Sequence, residues 1–514
     1  MATYVLGIGG TGSRVIRAIT MLAAAGVDFG EIRPIIMDVD RENPNETEDL
    51  VKLYATLRTN ITGGDRAVQT EFFKSDIQMR FTTAMGVPTI KDTSLDDLGN
   101  TTFSDYIGYT GQNCMSDLDK KLIESLYSTA DADSTADLIE LNLGLNHGFK
   151  GNPNLGGVVL EQLNTSKTFH ELNSNFANGD KIFIISSIFG GTGASGFPKI
   201  VELIRNSAGT LLNSATLGAI SVLPYFKIKD NAASAIDDKQ FNAKAKAALN
   251  YYQGSLISQV NNMYYGYDLP ANDAFENIEG GAKQKNDAHM VELLAVASLL
   301  HFIKDGDAHR TKGNQYIYQT ETDTAAIRQT PIHHFSSNDF DEYTRKNILK
   351  PMAAFSIASK VSLEYLLTNR NISHHHYYRN LVGTNSVLQP NDAASMQYFM
   401  KLFRAWVGEL HGNKNTLSVV AVGKPTGSTE YQFSTDINSL LIGYEIPKGG
   451  MFAFGHPFIE DGKIDDYLGK LVIAEKITKE NAAAPVQFIN IMAGFSNNIL
   501  ADHFKKQHKN LSLL

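Results

Sequence analysis

The sequence predicts an α/β protein wound around a parallel sheet, and three observations carry that prediction. Residues 3–8 form a short apolar run that passes straight into Gly7-Ile8-Gly9-Gly10-Thr11-Gly12-Ser13. A second apolar run, Lys181 to Ile188, passes into Gly190-Gly191-Thr192-Gly193-Ala194-Ser195-Gly196. Helical spacing follows each turn, with Val15, Ile16, Ile19 and Leu22 after the first and Phe197 to Asn206 after the second. Strand, tight turn and helix in that order are the repeating unit of a parallel sheet covered by helices.

The elements can be taken in order. The spacing predicts a strand over 3–8, a helix from Ser13 to Ala25 with Gly26 as its stop, and a strand from Ile32 to Val39 that ends in Asp38 and Asp40. From Arg41 to about Asn146 the pattern weakens and reads as a helical insertion, about 41–146. The α/β pattern returns with a strand to Ile188, a helix carrying Pro198 at or near its first turn, a strand from Thr216 to Leu223, and helix from Ile236 to Val260. Asn286 to Ile303 has apolar residues on most sides, so it reads as a buried central helix, 286–304. Residues 1–285 then form a nucleotide-binding domain and 305–514 a second, α+β domain. In the latter, Ile348–Leu367 and Met396–Leu410 read as helices, and Leu417–Val422 and Pro485–Ala493 as strands.

Composition narrows the function classes. The 514 residues contain 46 basic and 55 acidic side chains, a net charge of −9, which argues against broad nucleic-acid binding. Cys114 is the only cysteine, so neither an internal disulfide nor a cysteine-rich metal site is expected. The longest near-apolar run, Leu293 to Ile303, is too short for a bilayer, and no leader pattern is read at the start. The expectation is a cytoplasmic protein with no membrane insertion. The adjacent histidines His333-His334 and His374-His375-His376 lack the spacing of one helical face, and no metal ligands are assigned. The basic run Phe504 to Lys509 reads as a solvated helix end.

Glycines let backbone N–H groups approach phosphate oxygens, and a helix N-terminus adds a favourable dipole. Gly7-x-Gly9-x-x-Gly12 alone fits a dinucleotide fingerprint, with Asp38 placed to hold a ribose; Asp38 and Asp40 are candidates to approach Mg²⁺ through water, and a plain strand terminus accounts for them equally well. The fingerprint supports a Rossmann-type enzyme using NAD; with Ala24-Ala25-Gly26-Val27, Asp38-Val39-Asp40 and Asn45 the same turn also resembles the start of ATP-using adenylating enzymes of the ubiquitin-activating type. The second turn changes the balance. It offers several N–H donors and the Thr192 and Ser195 hydroxyls but no Walker lysine, which suits a di- or triphosphate outside the P-loop class.

Gly190-Gly191-Thr192-Gly193-x-x-Gly196 resembles the signature loop of the tubulin superfamily. Gly148-Phe149-Lys150-Gly151-Asn152-Pro153-Asn154-Leu155-Gly156 resembles the Gly-Ala-Asn-Pro-x-x-Gly loop of the bacterial division protein FtsZ, which faces the terminal phosphate. The opening Gly9-Gly10-Thr11-Gly12-Ser13 falls where that family has its first phosphate loop, and Pro198 also fits. The chain thus resembles a divergent bacterial tubulin/FtsZ-like protein over roughly residues 3–40 and 146–303. The resemblance implies a tubulin/FtsZ-like α/β fold that binds GTP or GDP with Mg²⁺. It places Gly9, Gly10, Thr11, Gly12, Ser13, Gly151, Asn152, Gly190, Gly191, Thr192, Gly193, Ala194, Ser195 and Gly196 on phosphates. Asn286 is placed on the guanine base, though as a helix N-cap it needs no ligand.

It also implies self-association into filaments, with hydrolysis completed between subunits by acidic residues after the central helix. Asp305 and Asp307 stand there, but the family's Asn-x-Asp-x-x-Asp pattern is absent. GTPase activity is therefore one reading and a non-hydrolysing nucleotide-binding scaffold another.

Overall fold

The computed structural model describes residues 1–38, 40, 46–78, 101–110, 115–127, 140–145, 148–230, 236, 238–268, 274–278, 287–304, 311–319, 333–335, 340–366, 390–413, 415–417, 419–433, 440 and 484–508. Strands β1 (Ala2–Ile8), β2 (Glu31–Met37), β3 (Asp76–Ile77), β4 (Lys181–Ser187), β5 (Thr216–Val222), β6 (Asn262–Tyr267) and β7 (Asn314–Gln319) form a seven-stranded sheet in the order β3-β2-β1-β4-β5-β6-β7. Every adjacent pair is parallel. This is the α/β architecture expected from the sequence, in the doubly wound order whose direction reverses between β1 and β4.

Both faces of the sheet are covered, so the strands are apolar on both sides. Val5, Phe183, Ile185 and Ile220 face one core cluster, whereas Leu6, Ile182, Ile184 and Leu217 face the other. The first face carries helix α1 (Gly9–Ala24) and helix α2 (Glu46–Thr62). Within the stretch read as a helical insertion, α2 and β3 continue the β-α-β winding. Short helices α3 (Phe103–Tyr106) and α4 (Asp117–Leu126) follow.

The opposite face holds α5 (Pro153–Val159), α6 (Lys167–Asn175), α7 (Gly191–Asn206) and α8 (Phe241–Tyr251). Helix α9 (Val291–Lys304) is buried over nearly its whole length, as its all-round apolar pattern requires. Glycine makes one of its contacts possible. A Cβ on Gly218 of β5 would lie 2.6 Å from the Phe302 ring.

Beyond α9, helices α10 (Lys350–Val361), α11 (Pro390–Gly412) and α12 (Ala484–His508) join the same core cluster as α1, α2 and α9. Two small sheets accompany them: β8 (His333–Phe335) parallel to β9 (Asn415–Leu417), and β10 (Val422–Gly423) antiparallel to β11 (Gln432–Phe433).

Several expectations are corrected. Helices α1 and α7 start at Gly9 and Gly191, four and six residues before the sequence suggested, because the glycine turns are themselves the first helical turns. Pro198 consequently sits inside α7. Pro485–Ala493 is not a strand but the start of α12, where proline near the first position costs no hydrogen bond. The strand read over Leu417–Val422 is divided between β9 and β10. Cys114 and His374 to His376 lie outside the described residues. Among the described residues no helix is long and apolar enough to cross a membrane and no metal-ligand cluster occurs.

Phe355 of α10 ties the C-terminal helices to the sheet layer, with ring centroids 5.0 Å from Phe72, 5.9 Å from Phe73 and 4.8 Å from Phe403. Phe355→Ala is expected to cost about 3–5 kcal/mol and to lower the midpoint of a single urea transition. Far-UV and near-UV circular dichroism should report that transition together. Two separated transitions would show that the C-terminal helices fold independently of the sheet.

Candidate functional site

The direction of winding reverses between β1 and β4, leaving a crevice at their carboxyl ends. Helix α1 enters it from one face of the sheet and α7 from the other. The first four N–H groups of a helix have no partner within it. Ile8 caps α1 and Gly190 caps α7, and neither helix has a side-chain cap. The donors left over therefore lie at Gly9, Gly10 and Thr11 on one side and at Gly190, Gly191, Thr192 and Gly193 on the other. All seven residues line one cavity of about 410 Å³.

Glycine allows the two ends to meet. Gly9 has φ +67°, and a Cβ there would lie 3.4 Å from the Gly193 nitrogen. Gly7 and Gly12 interlock, since a Cβ on Gly12 would fall 2.3 Å from the Gly7 carbonyl carbon. A Cβ on Gly193 would sit 2.9 Å from the Ser187 nitrogen. A third segment joins them. A Cβ on Gly148 would lie 2.9 Å from Thr192 Oγ1, and one on Gly191 would lie 3.0 Å from the Gly151 nitrogen. Phe149, Lys150 and Gly151 line the cavity too.

The residues singled out in the sequence thus divide. Gly9, Gly10, Thr11, Asp38, Gly151, Gly190, Gly191, Thr192 and Gly193 share the cavity wall. Gly12, Ser13, Asn152, Ala194, Ser195 and Gly196 are not on it. Ser13 Oγ donates to Thr47 Oγ1 at 3.2 Å, and Ser195 Oγ donates to the Gly191 carbonyl at 2.8 Å. The Asn152 side chain donates to the Lys150 carbonyl at 3.3 Å, and Gly196 packs under Ile8. Asn286, Asp305 and Asp307 lie outside the described residues.

Sequence reasoning missed the other half of the cavity. Phe226, Phe241 and Phe275 line an aromatic end, with ring centroids of Phe226 5.8 Å from Phe241 and 6.2 Å from Phe275. Asn277 and Asp287 border it. Phe226 comes from the β5–α8 connection, Phe275 and Asn277 from 274–278 and Asp287 from the stretch before α9, segments with no apolar periodicity to mark them, and Phe241 is the first residue of α8. Asp40 joins Asp38 on the wall and is buried.

Behind the cavity lies a buried charged group. Arg14 of α1 lines the wall and hydrogen-bonds the Tyr225 hydroxyl. Its Nε lies 3.9 Å from Glu292 of α9, and neither Arg14 Nε nor Glu292 Oε2 has a hydrogen-bond partner among the described residues. Burial pushes the Glu292 carboxyl up to about 7 in spite of Arg14, which pulls it down. Burial pushes His289 down to about 3, and Arg14 adds to that shift. His289 Nδ1 accepts from Val291 N at 3.1 Å, while Nε2 faces Asp268 at 3.7 Å.

Helix α11 holds the same region from the far side. Glu409 accepts both Arg17 amino groups, at 2.9 and 3.1 Å, and the Ala288 nitrogen at 3.0 Å. Asn413 donates to the Ala288 carbonyl at 2.8 Å and lines the cavity.

Among solved structures, the chain is similar to CetZ2 from Haloferax volcanii in a GTPgS-bound protofilament, with 12% identity and a TM-score of 0.28 over 64% of this chain. The likeness spans 63% of the length of that protein. No family model matches the chain. No curated protein matches it either.

The two shifted groups make opposite contributions to stability. His289, depressed from 6.5 to about 3, contributes stability that is present above the ordinary imidazole range and lost as pH falls toward 3. Glu292, raised from 4.5 to about 7, contributes stability that is present at low pH and lost as pH rises through 7. The two therefore oppose each other between pH 4.5 and 6.5. In Glu292→Gln only the histidine remains, so the urea midpoint should climb more steeply with pH across that window than in the wild type. Parallel curves for the two proteins would contradict this assignment.

Proposed function

We propose that this chain is a tubulin/FtsZ-like protein that binds a guanine nucleotide, GTP or GDP with Mg²⁺, in the cavity between β1 and β4, and that it self-associates. The observation that carries the reading is the convergence of two uncapped helix N-termini on one cavity. Their free N–H groups and the Thr11 and Thr192 hydroxyls match the oxygens of a polyphosphate. The Gly148–Gly151 segment packs against the second turn, and the family pattern sets it against the terminal phosphate. Asp38 and Asp40 on the wall suit a magnesium ion held through water. The aromatic end suits a purine, with Asn277 and Asp287 at its border to read the edge of the base, beside the expected contact from Asn286.

Hydrolysis belongs to the same proposal as an intersubunit step. Asp305 and Asp307 would position the attacking water at a neighbour's nucleotide, while amides and metal neutralise the developing charge. A Rossmann-type enzyme using NAD or ATP shares the strand order and Asp38. That reading leaves the second helix N-terminus without a task, although it opens on the same space.

Gly10 provides the test, because a Cβ there meets nothing within 4 Å. Gly10→Glu should leave thermal stability within about 0.5 kcal/mol of wild type. Its carboxylate would occupy the phosphate space and should abolish GTP binding in calorimetry. The wild type should prefer GTP to ATP and NAD, and should sediment as assemblies when GTP and Mg²⁺ are added. Tight NAD binding without GTP binding, or undiminished GTP binding by Gly10→Glu, would refute the proposal.

A further inference from the structure

Arg14 stands between two spaces. It lies one helical turn after Gly10 on α1, and it lines the cavity together with Gly9, Gly10 and Thr11. Its guanidinium hydrogen-bonds the Tyr225 hydroxyl, and the Thr11 side chain lies against that same hydroxyl. On the other side, Arg14 Nε is 3.9 Å from Glu292 Oε1 of α9. The Glu292 side chain is 1% exposed and is not on the cavity wall. A short path of side chains, Thr11, Tyr225, Arg14 and Glu292, therefore leads from the first turn of α1 to a buried carboxyl.

The ion pair in this path is only half made. A separation of 3.9 Å is too long for a hydrogen bond, and among the described residues neither Arg14 Nε nor Glu292 Oε2 has a partner. A buried carboxylate so poorly paired is costly, and burial holds the Glu292 carboxyl up at about 7 although Arg14 pulls it down. The other charged groups around it do not replace Arg14. Arg17 of α1 is held by both carboxylate oxygens of Glu409 on α11, and the two act on Glu292 with opposite signs. The His289 nitrogen donates to Glu292 Oε1 at 2.9 Å, but burial pushes the His289 ring down to about 3, so it is neutral near pH 7. Asp268 faces the His289 ring, and the exposed Asp287 acts on Arg14 from the cavity side.

We infer that Arg14 couples occupancy of the cavity to protonation of Glu292. An anion on the free N–H groups of Gly9, Gly10 and Thr11 draws on the same guanidinium, and one positive charge cannot fully serve both sides. The carboxylate behind the wall then takes a proton from solvent and becomes a neutral carboxylic acid, which removes its repulsion of the anion. Binding favours protonation, and protonation favours binding by the same factor. This rests on the reading above that the cavity binds a guanine nucleotide through its phosphates, and it requires only that their charge lie at the first turn of α1. The sign follows from the free carboxyl at about 7. Well below that pH Glu292 is protonated with or without ligand and affinity is full. Above it, binding must bring in a proton, and affinity falls as pH rises.

The test uses GTP with Mg²⁺, titrated by calorimetry into the full chain and into Glu292→Gln. That variant keeps an oxygen for the His289 nitrogen and fixes the side chain in a neutral form. The terminal phosphate of GTP also titrates near neutrality. It does so equally for both proteins, so the ratio of their dissociation constants reports Glu292. The two should bind alike at about pH 6, and at about pH 9 the wild type should bind about tenfold more weakly than Glu292→Gln, the scale of a coupling between two sites. A carboxyl with a merely structural role would not give a variant that binds more tightly at high pH. In the wild type alone, titrations at about pH 8 in two buffers of different ionisation heat should show part of a proton taken up per GTP. This second measurement decides the matter if Glu292→Gln does not fold. If the wild type binds GTP without proton uptake, or the ratio to Glu292→Gln does not change with pH, the coupling is absent and the nucleotide reading stands. If the wild type binds no guanine nucleotide at any pH, that reading fails and the coupling fails with it.

Discussion

The structure depends on two helix N-termini meeting head-on across the centre of the sheet. Each carries a partial positive charge and a set of N–H groups with no partner. Bringing both into one crevice is electrostatically unfavourable unless water or an anion lies between them. It is also sterically forbidden to most sequences, since Gly9 approaches the Gly193 nitrogen and Gly12 lies on the Gly7 carbonyl. The doubly wound topology sets the direction of approach, because α1 and α7 cover opposite faces of the sheet. Once the two ends are in place, the Gly148–Gly151 segment can close over the second. A cavity lined by free N–H groups is then a consequence of the packing rather than an addition to it.

The other end of the cavity is held differently, by a long-range polar clamp. Glu409 joins Arg17 of α1 to the Ala288 nitrogen just before α9, and Asn413 takes the Ala288 carbonyl. Asp287, which borders the proposed base, and His289 thus lie within one residue of a peptide gripped by α11. Helices α10, α11 and α12 have no separate core among the described residues, since they share one cluster with α1, α2 and α9. The start of α9 and α11 are therefore joined by both hydrogen bonds and packing.

Legibility in the sequence followed aliphatic content and local order. Strands β1, β2, β4 and β5 were readable as Val-, Ile- and Leu-rich runs, and α9 as a helix apolar on most sides. Strands β6 and β7, Asn-Met-Tyr-Tyr-Gly-Tyr and Asn-Gln-Tyr-Ile-Tyr-Gln, were not readable, because tyrosine and amide side chains mask the buried β6 and the half-exposed edge strand β7. Tyr264 nonetheless stacks on Tyr316 at 4.9 Å. The first turns of α1 and α7 were hidden because glycine has the poorest helix propensity apart from proline. The same glycines were legible as chemistry, and Gly9, Gly10, Gly190 and Gly191 do share a wall. Phe226, Phe275 and Asn277 were invisible, since their place on the wall depends on long-range folding of irregular segments. Asn286, Asp305 and Asp307 lie outside the described residues, so the sequence reading of them stands alone.

A glycine-rich motif therefore carries two messages, and only the structure separates them. Gly7, Gly12, Gly193 and Gly196 are required by the protein itself, since a Cβ at each would meet backbone or core side chains within 3 Å. Their presence would be explained with no ligand at all. Gly10 differs, because a Cβ there would meet nothing within 4 Å and no packing demand accounts for it. Lys150 is the converse, a side chain held where the backbone favours glycine. One position has given up a side chain that would fit, and the other keeps one that strains the chain. Both exceptions lie on the wall of the same cavity.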